Sequence, residues 1–232
     1  MSRTTSENML GVIFDNTEKS KPKIDSDRSL FYIPYYKDEE YFSSYENEIA
    51  FYKGVESLVR KHAFYSKYIR YLIEVVGINT CQVLSNIPIE DKSKVTIEMH
   101  HGPILTLFDI AMIVTTHLRK QGFDKITTPY VADLILEEHR LNHVRVVLVS
   151  KSVHQKIHED EIILNYRQGF GDTGEFLEKY HDGLSNEMKV KINQYIDWSM
   201  KNDSYDHDVF KLSEKMKRWG NNDLDLEHYN IA

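Results

Sequence analysis

Two short segments, each combining a β-strand pattern with a pair of histidines, constrain the fold of this chain more than any other feature. The first, Lys94–His101, alternates apolar and polar residues and ends on His100 and His101, shortly before Pro103. Alternation along an extended strand places Glu98 and His100 on one face. The pattern predicts a β-strand that ends in a histidine pair.

The second segment, Arg145–His158, joins a strand pattern to a helix pattern. A run of apolar residues follows Arg145, which is typical of a buried strand, and Ser150 then offers a side-chain cap for a helix. His154 and His158 are four residues apart on that helix, so their side chains lie on the same face. The segment therefore predicts a strand–helix unit that presents two imidazoles together.

Imidazole is a common ligand of transition metals, so a meeting of the two segments would create a metal site. In one interpretation His100, His154 and His158 bind one ion and His101 remains unligated. In a second interpretation all four histidines enclose a structural zinc ion. In a third interpretation there is no metal, and the histidines are surface or core residues of an α+β interaction domain.

The chain between the two segments predicts two helices. Apolar residues recur at three- and four-residue steps over Leu105–Gln121, and Gly122 follows as a helix stop. Thr128 is a candidate N-cap and Pro129 a first-turn proline for a second helix that reaches Leu141. These helices would form an insertion between the two strands.

The flanking sequence is also mainly helical in pattern. Apolar periodicity predicts helices over Glu39–Arg60 and His62–Val76, and a short strand over Asn79–Ile87. The tyrosines of the two helices suit either a core or an interface with a protein partner. We therefore expect an α+β fold, in which a mainly helical chain surrounds a ββα-metal unit with a helical insertion between its strands.

Changes in composition along the chain suggest four regions. The predicted regions are a flexible polar arm (1–28), a helical aromatic-rich region (29–90), the ββα region (91–166) with its helical insert (104–142), and a C-terminal helical region (167–232).

Composition excludes several classes of protein. Cys81 is the only cysteine of the 232 residues, so no disulfide within the chain and no cysteine-based zinc finger can form. The net charge of −7 argues against binding of nucleic acid through a broad positively charged surface, although it permits a local basic patch. No apolar run is long enough to cross a bilayer, and the first residues lack a signal-peptide pattern. We expect a cytoplasmic protein without a membrane partner, located in the host cytoplasm if the chain is viral.

The two histidine segments resemble the HNH or ββα-metal endonucleases, in the style of the colicin-type DNases. The sequence Glu98-Met99-His100-His101 matches the end of the family's first strand, and His154 and His158 match the histidine pair of its helix. The resemblance implies hydrolysis of phosphodiester bonds, with nucleic acid, most simply DNA, as the partner. It implies a divalent ion (Zn, Mg, Mn or Ni) held by His100, His154 and His158, and His101 as the general base.

The chain departs from the family pattern at two places. Arg145 stands where the family usually has an asparagine that orients the base, which makes Arg145 a candidate catalytic residue beside Glu98. The stretch between His101 and Arg145 is longer than a compact ββα unit needs. The alternative function is a non-catalytic structural or assembly protein, viral or not, which uses the histidines for a structural zinc ion or binds no metal.

Overall fold

The computed structural model describes residues 36–84, 96–202 and 207–219, and the predicted N-terminal arm (1–28) lies outside them. The described helices are α1 Tyr45–Lys61, α2 Ala63–Glu74, α3 Leu107–Lys120, α4 Thr128–Arg140, α5 Lys151–His158, α6 Thr173–Tyr180, α7 Asn186–Asn202 and α8 His207–Arg218. The strands are β1 Ile97–His101 and β2 Val146–Ser150. The predicted α+β class is confirmed, and α3 and α4 form the predicted insertion between the strands.

Side-chain caps fix where the inserted helices begin. At the start of α3, the Thr106 hydroxyl accepts a hydrogen bond from the Asp109 amide, and the Asp109 carboxylate accepts one from the Thr106 amide. The cap of α4 is Thr127 rather than the predicted Thr128, because the Thr127 hydroxyl accepts from the Tyr130 amide and Thr128 is already helical.

The two strands pair antiparallel, with His100 opposite Val147 and Ile97 opposite Ser150. Helix α5 follows β2 without a loop, because the Ser150 hydroxyl accepts from the Val153 amide and caps the helix as expected. The chain thus forms a ββα unit with α5 against the sheet.

The predicted strand Asn79–Ile87 is not a strand over its described part, residues 79–84, and residues 85–87 lie outside the described ranges. Instead, Gln82 lies against the outer edge of β2 beside Phe170, whose backbone amide and carbonyl pair with those of Val146. The Gln82 amide donates to the Leu148 carbonyl at 2.9 Å, and the Leu148 amide donates to Gln82 Oε1 at 2.6 Å. A side-chain amide here replaces the second backbone partner that a strand would supply.

The sheet separates two apolar clusters. The larger cluster runs from Phe42 to Met216, includes side chains of all the helices except α5, and covers the sheet face that carries Met99. The smaller cluster lies on the opposite face under α5 and consists of Cys81, Val147, Val149, Val153 and Leu164. Because neighbouring residues of a strand point to opposite faces, His101 enters the larger cluster's side while His100 faces α5.

Within the described ranges, no helix combines the length and the apolarity that crossing a membrane requires.

Candidate metal centre

Three histidines from two elements converge beside the sheet. One ring nitrogen of each of His100, His154 and His158 lies within 4.8 Å of the others. The His154 and His158 Nε2 atoms are 3.1 Å apart, and the centroid of the His100 ring is 5.1 Å from that of His154 and 5.2 Å from that of His158. The strand end and the i,i+4 pair of α5 therefore meet as the sequence predicts.

Glu98 orients one of these rings. Its Oε2 lies 2.5 Å from Nδ1 of His154, and a carboxylate can only accept there, so in the neutral imidazole Nδ1 carries the proton and Nε2 has the lone pair. That lone pair faces His158. A carboxylate behind a ligand histidine is the usual way in which a protein fixes the tautomer and orientation of a metal-binding imidazole.

The geometry and the protonation of the cluster suit a transition-metal ion. A tetrahedral ion with nitrogen bonds of roughly 2.0–2.1 Å needs nitrogens about 3.3 Å apart, and the Nε2 atoms of His154 and His158 already lie 3.1 Å apart. Burial first, and then the proximity of His154 and His158, lower the pKa of His100 to about 4. His100 is therefore neutral at pH 7, which is the form that binds a metal.

Gly102 leaves room for the His100 ring. A Cβ at position 102 would lie 2.9 Å from Nε2 and 3.0 Å from Cδ2 of His100, closer than side chains normally approach. Any larger residue at position 102 would therefore displace the ring of a candidate ligand from this position.

His101 does not face α5 but is buried on the helical side of the sheet, at 3% exposure. Its ring stacks on Tyr65, and its Nε2 lies 3.0 Å from Nε2 of His139, on α4. Nδ1 of His139 donates to the Ile135 carbonyl at 2.7 Å, so the Nε2 of His139 accepts and that of His101 donates. Nδ1 of His101 is left as a buried lone pair without a hydrogen-bond partner in the described structure.

His139 is a residue of this arrangement that the sequence interpretation missed. It is buried together with Ala132, Ile135 and Leu136, at the three- and four-residue spacing of an apolar helix face. The spacing alone could have placed His139 in the core, but no local pattern indicates that His101 is its partner. Burial lowers the pKa of both rings, to about 4 for His139.

The Arg145 guanidinium is held by backbone carbonyls. It donates to the carbonyls of Tyr166 and Gly171, and its Cζ lies 3.6 Å from the centroid of the Tyr166 ring. A Cβ at Gly169 would come within 2.7 Å of the Arg145 Nε, so the glycine-containing loop fits closely around this side chain. The structure brings His100, His154, His158 and Glu98 together, but directs Arg145 to this loop.

A cavity of about 250 Å³ opens beside two of the three cluster histidines. The polar residues of its wall are His100, His101, Thr106, His158, Asp160, Lys191 and Tyr195, and the apolar ones are Pro103, Ile104, Ile157, Ile162, Ile163 and Leu164. Lys191 and Tyr195 come from α7, far from the histidines in sequence. A ligand in this cavity would have access to an ion held by the histidines.

A family model described as Bacteriophage G278-like virion protein matches residues 1–223. The chain therefore belongs to this family of phage virion proteins. No curated protein and no solved structure matches the chain.

Proposed function

We propose that this member of the phage virion family is a structural or assembly component of the virion, in which a divalent transition-metal ion fastens α5 to the two-stranded sheet. The observation that carries the proposal is the convergence of His100, His154 and His158, with Glu98 behind one ring. The family match supports the role in a virion, and the geometry supports the metal.

The packing of the ββα unit supports a structural use of the ion. Helix α5 has eight residues, of which only Val153 is fully buried. A helix of this length and an isolated pair of strands are both marginal in water, so they depend on added contacts. An ion bound jointly by β1 and α5 would add its binding free energy to the stability of the folded unit.

The donor set favours some metals over others. Three imidazole nitrogens suit zinc, nickel, cobalt or copper, whereas magnesium and calcium prefer oxygen ligands. We therefore propose zinc or a neighbouring transition metal as the ion, rather than the Mg or Mn that the nuclease resemblance also allows.

The direct test measures bound metal together with thermal stability. Purified protein should contain one zinc ion per chain, and chelation should lower Tm by about 5–10 °C, as expected for removal of a ligand that stabilises by about 3 kcal/mol. His154→Ala and His158→Ala should lose both the ion and the response to chelator. His181→Ala is the matched control, because His181 is exposed and stacks on Trp219 outside the cluster. Full metal content in His158→Ala would rule out this site.

A second candidate function, metal-dependent cleavage of nucleic acid, is favoured by the state of His101. Its Nε2–H is fixed by His139, its Nδ1 lone pair is unpartnered, and the residue lies in the wall of the cavity beside His100. A bound divalent ion would bind the scissile phosphate and stabilise charge on the leaving oxygen. His101 would take a proton from water at Nδ1, with His139 as the positioning residue, and Glu98 would orient His154.

The burial of His101 distinguishes the two candidates. A general base must come within hydrogen-bond reach of the attacking water, and Nδ1 of His101 is sealed from solvent in this structure. Plasmid nicking with magnesium, manganese, nickel or zinc tests cleavage. Nicking that is lost in His101→Ala, while bound metal is retained, would establish the nuclease. Absence of nicking in a fully loaded protein would leave the structural role.

A further inference from the structure

We infer that the cavity beside the histidine cluster receives a carboxylate from an apolar segment of a partner virion protein, which completes the coordination of the metal. This inference rests on the metal site proposed above and names the ligand class and the partner surface of that site. The cluster supplies three ligands, whereas structural zinc sites in proteins almost always have four. A fourth ligand must reach the ion from the side that the described residues leave open.

The open side is the cavity, because His100 and His158 both lie in its wall. His158 is exposed, whereas His100 is 7% exposed, so the cluster reaches from the buried sheet to the cavity surface. A group that enters the cavity therefore meets the ion at one end and the α7 wall at the other.

The α7 wall carries a cation suited to an anionic ligand. The ammonium of Lys191 pairs with Asp109 at 2.8 Å, while the Lys191 side chain remains 49% exposed. An ammonium has three protons, so Lys191 can donate to a second carboxylate without releasing Asp109. Together with the ion, Lys191 would give the cavity two positive groups, whereas Asp160 is the negative group of the wall.

The apolar rim of the cavity favours a protein over nucleic acid as the ligand that enters the cavity. Ile157 and Ile162 are half-buried, and Ile163 is 60% exposed. Exposed isoleucine beside a polar site is typical of a surface that a protein covers, whereas surfaces that bind phosphate backbones are rich in lysine and arginine. The occupant is therefore an Asp or Glu side chain, or a chain terminus, flanked by apolar residues.

The test uses cobalt(II)-loaded full-length protein, whose visible absorption reports the number and the chemical kind of the ligands at the ion, so a carboxylate that replaces bound water changes the spectrum. The probes are acetate, isovalerate and inorganic phosphate. Isovalerate should change the spectrum saturably and bind roughly tenfold more tightly than acetate, because its branched chain leaves water against the isoleucines. Phosphate, which lacks an apolar part, should bind no better than acetate.

Two variants separate the contribution of the Lys191 charge to carboxylate binding from that of the apolar Ile163. Lys191→Gln should weaken both carboxylates by about tenfold, as loss of a charge-assisted hydrogen bond predicts, while Lys201→Gln on the same helix should leave them unchanged. Ile163→Ser should reduce the preference for isovalerate over acetate without changing acetate binding. Both exchanges lie outside the ligand histidines, so cobalt binding itself serves as the check that the site is intact.

The outcomes distinguish this inference from the proposed metal site. Absence of stoichiometric cobalt binding would overturn both. Cobalt binding without a response to carboxylates, or tighter binding of phosphate than of isovalerate, would overturn the partner carboxylate alone. A four-ligand spectrum before any anion is added, which Asp160→Asn abolishes, would assign the fourth ligand to Asp160 of the chain itself and would also overturn the inference.

Discussion

The Oε2 atom of Glu98 lies 2.5 Å from Nδ1 of His154, so that a residue of the first strand orients a ring on a helix 56 positions later in the chain. This contact fixes which nitrogen of His154 faces His158, and it joins the two sequence segments that the metal site requires. The contact is local in space and remote in sequence, so it forms only when β1 and β2 are paired and α5 is docked.

Replacement of Glu98 tests this orientation. Glu98→Ala should weaken zinc binding by about 10- to 100-fold, the usual cost of losing the partner behind a ligand histidine. Glu98→Gln should cost less, because its amide oxygen can still accept from Nδ1. Zinc affinity is measured by competition with a chromophoric chelator. Glu159→Ala, just beyond the end of α5, serves as the control, and equal affinities for Glu98→Ala and this control would contradict the role of Glu98.

Gly102→Ala probes the cluster without removing a ligand. The added Cβ would meet the His100 ring at 2.9 Å, and turning the ring away from its preferred rotamer should weaken zinc binding by about tenfold. Gly54→Ala, within α1, is the control, because its Cβ would lie at an ordinary contact distance of 3.5 Å from Thr128 Cγ2. The same zinc titration and a thermal melt measure both variants. An unchanged zinc affinity in Gly102→Ala would contradict the close fit of the His100 ring against position 102.

The buried His139 predicts loss of stability in acid. Burial lowers its pKa from the ordinary 6.5 to about 4, so between these values the unfolded chain binds a proton that the folded chain does not. Stability is therefore complete above about pH 6.5 and falls as the pH decreases towards 4. At pH 5 the loss from this one group is about 2 kcal/mol.

Urea unfolding at pH 7.5 and pH 5, with chelator present, measures this effect. His139→Gln keeps an acceptor for the Nε2–H of His101 but cannot titrate. Its loss of stability between the two pH values should be about 2 kcal/mol smaller than that of the unmodified chain. Equal losses in the two proteins would mean that His139 is not buried in its neutral form.

Arg145 offers a test of structural against catalytic use. Arg145→Lys should lower the free energy of unfolding by about 2 kcal/mol, because an ammonium cannot reproduce the hydrogen bonds to Tyr166 and Gly171 or the stacking on the Tyr166 ring. Zinc affinity should not change. Arg140→Lys, on the exposed end of α4, should leave the free energy of unfolding close to that of the unmodified chain. A loss of metal binding or of any nicking activity in Arg145→Lys, at unchanged stability, would place Arg145 in the site.

The sequence by itself determined the local elements and the candidate ligands. Strand alternation placed Glu98 and His100 on one face, and the four-residue spacing placed His154 and His158 together on α5. Ser150 was identified as a cap because a hydroxyl before an amphipathic run satisfies the first free amides of a helix. The helical insertion followed from apolar periodicity in the same way. These features depend on neighbours within a few residues, and therefore the sequence carries them directly.

Only the tertiary structure determined which residues contact the histidines and which residues line the cavity beside them. Burial of His101 against His139, the enclosure of Arg145 by a later loop, and the pairing of Gln82 with Leu148 each join residues far apart in the chain. The cavity wall likewise depends on where α7 packs. Periodicity shows which face of an element is apolar but not which other element covers it, since any apolar face gains similar free energy from burial. The choice among partners arises from the packing of the whole chain.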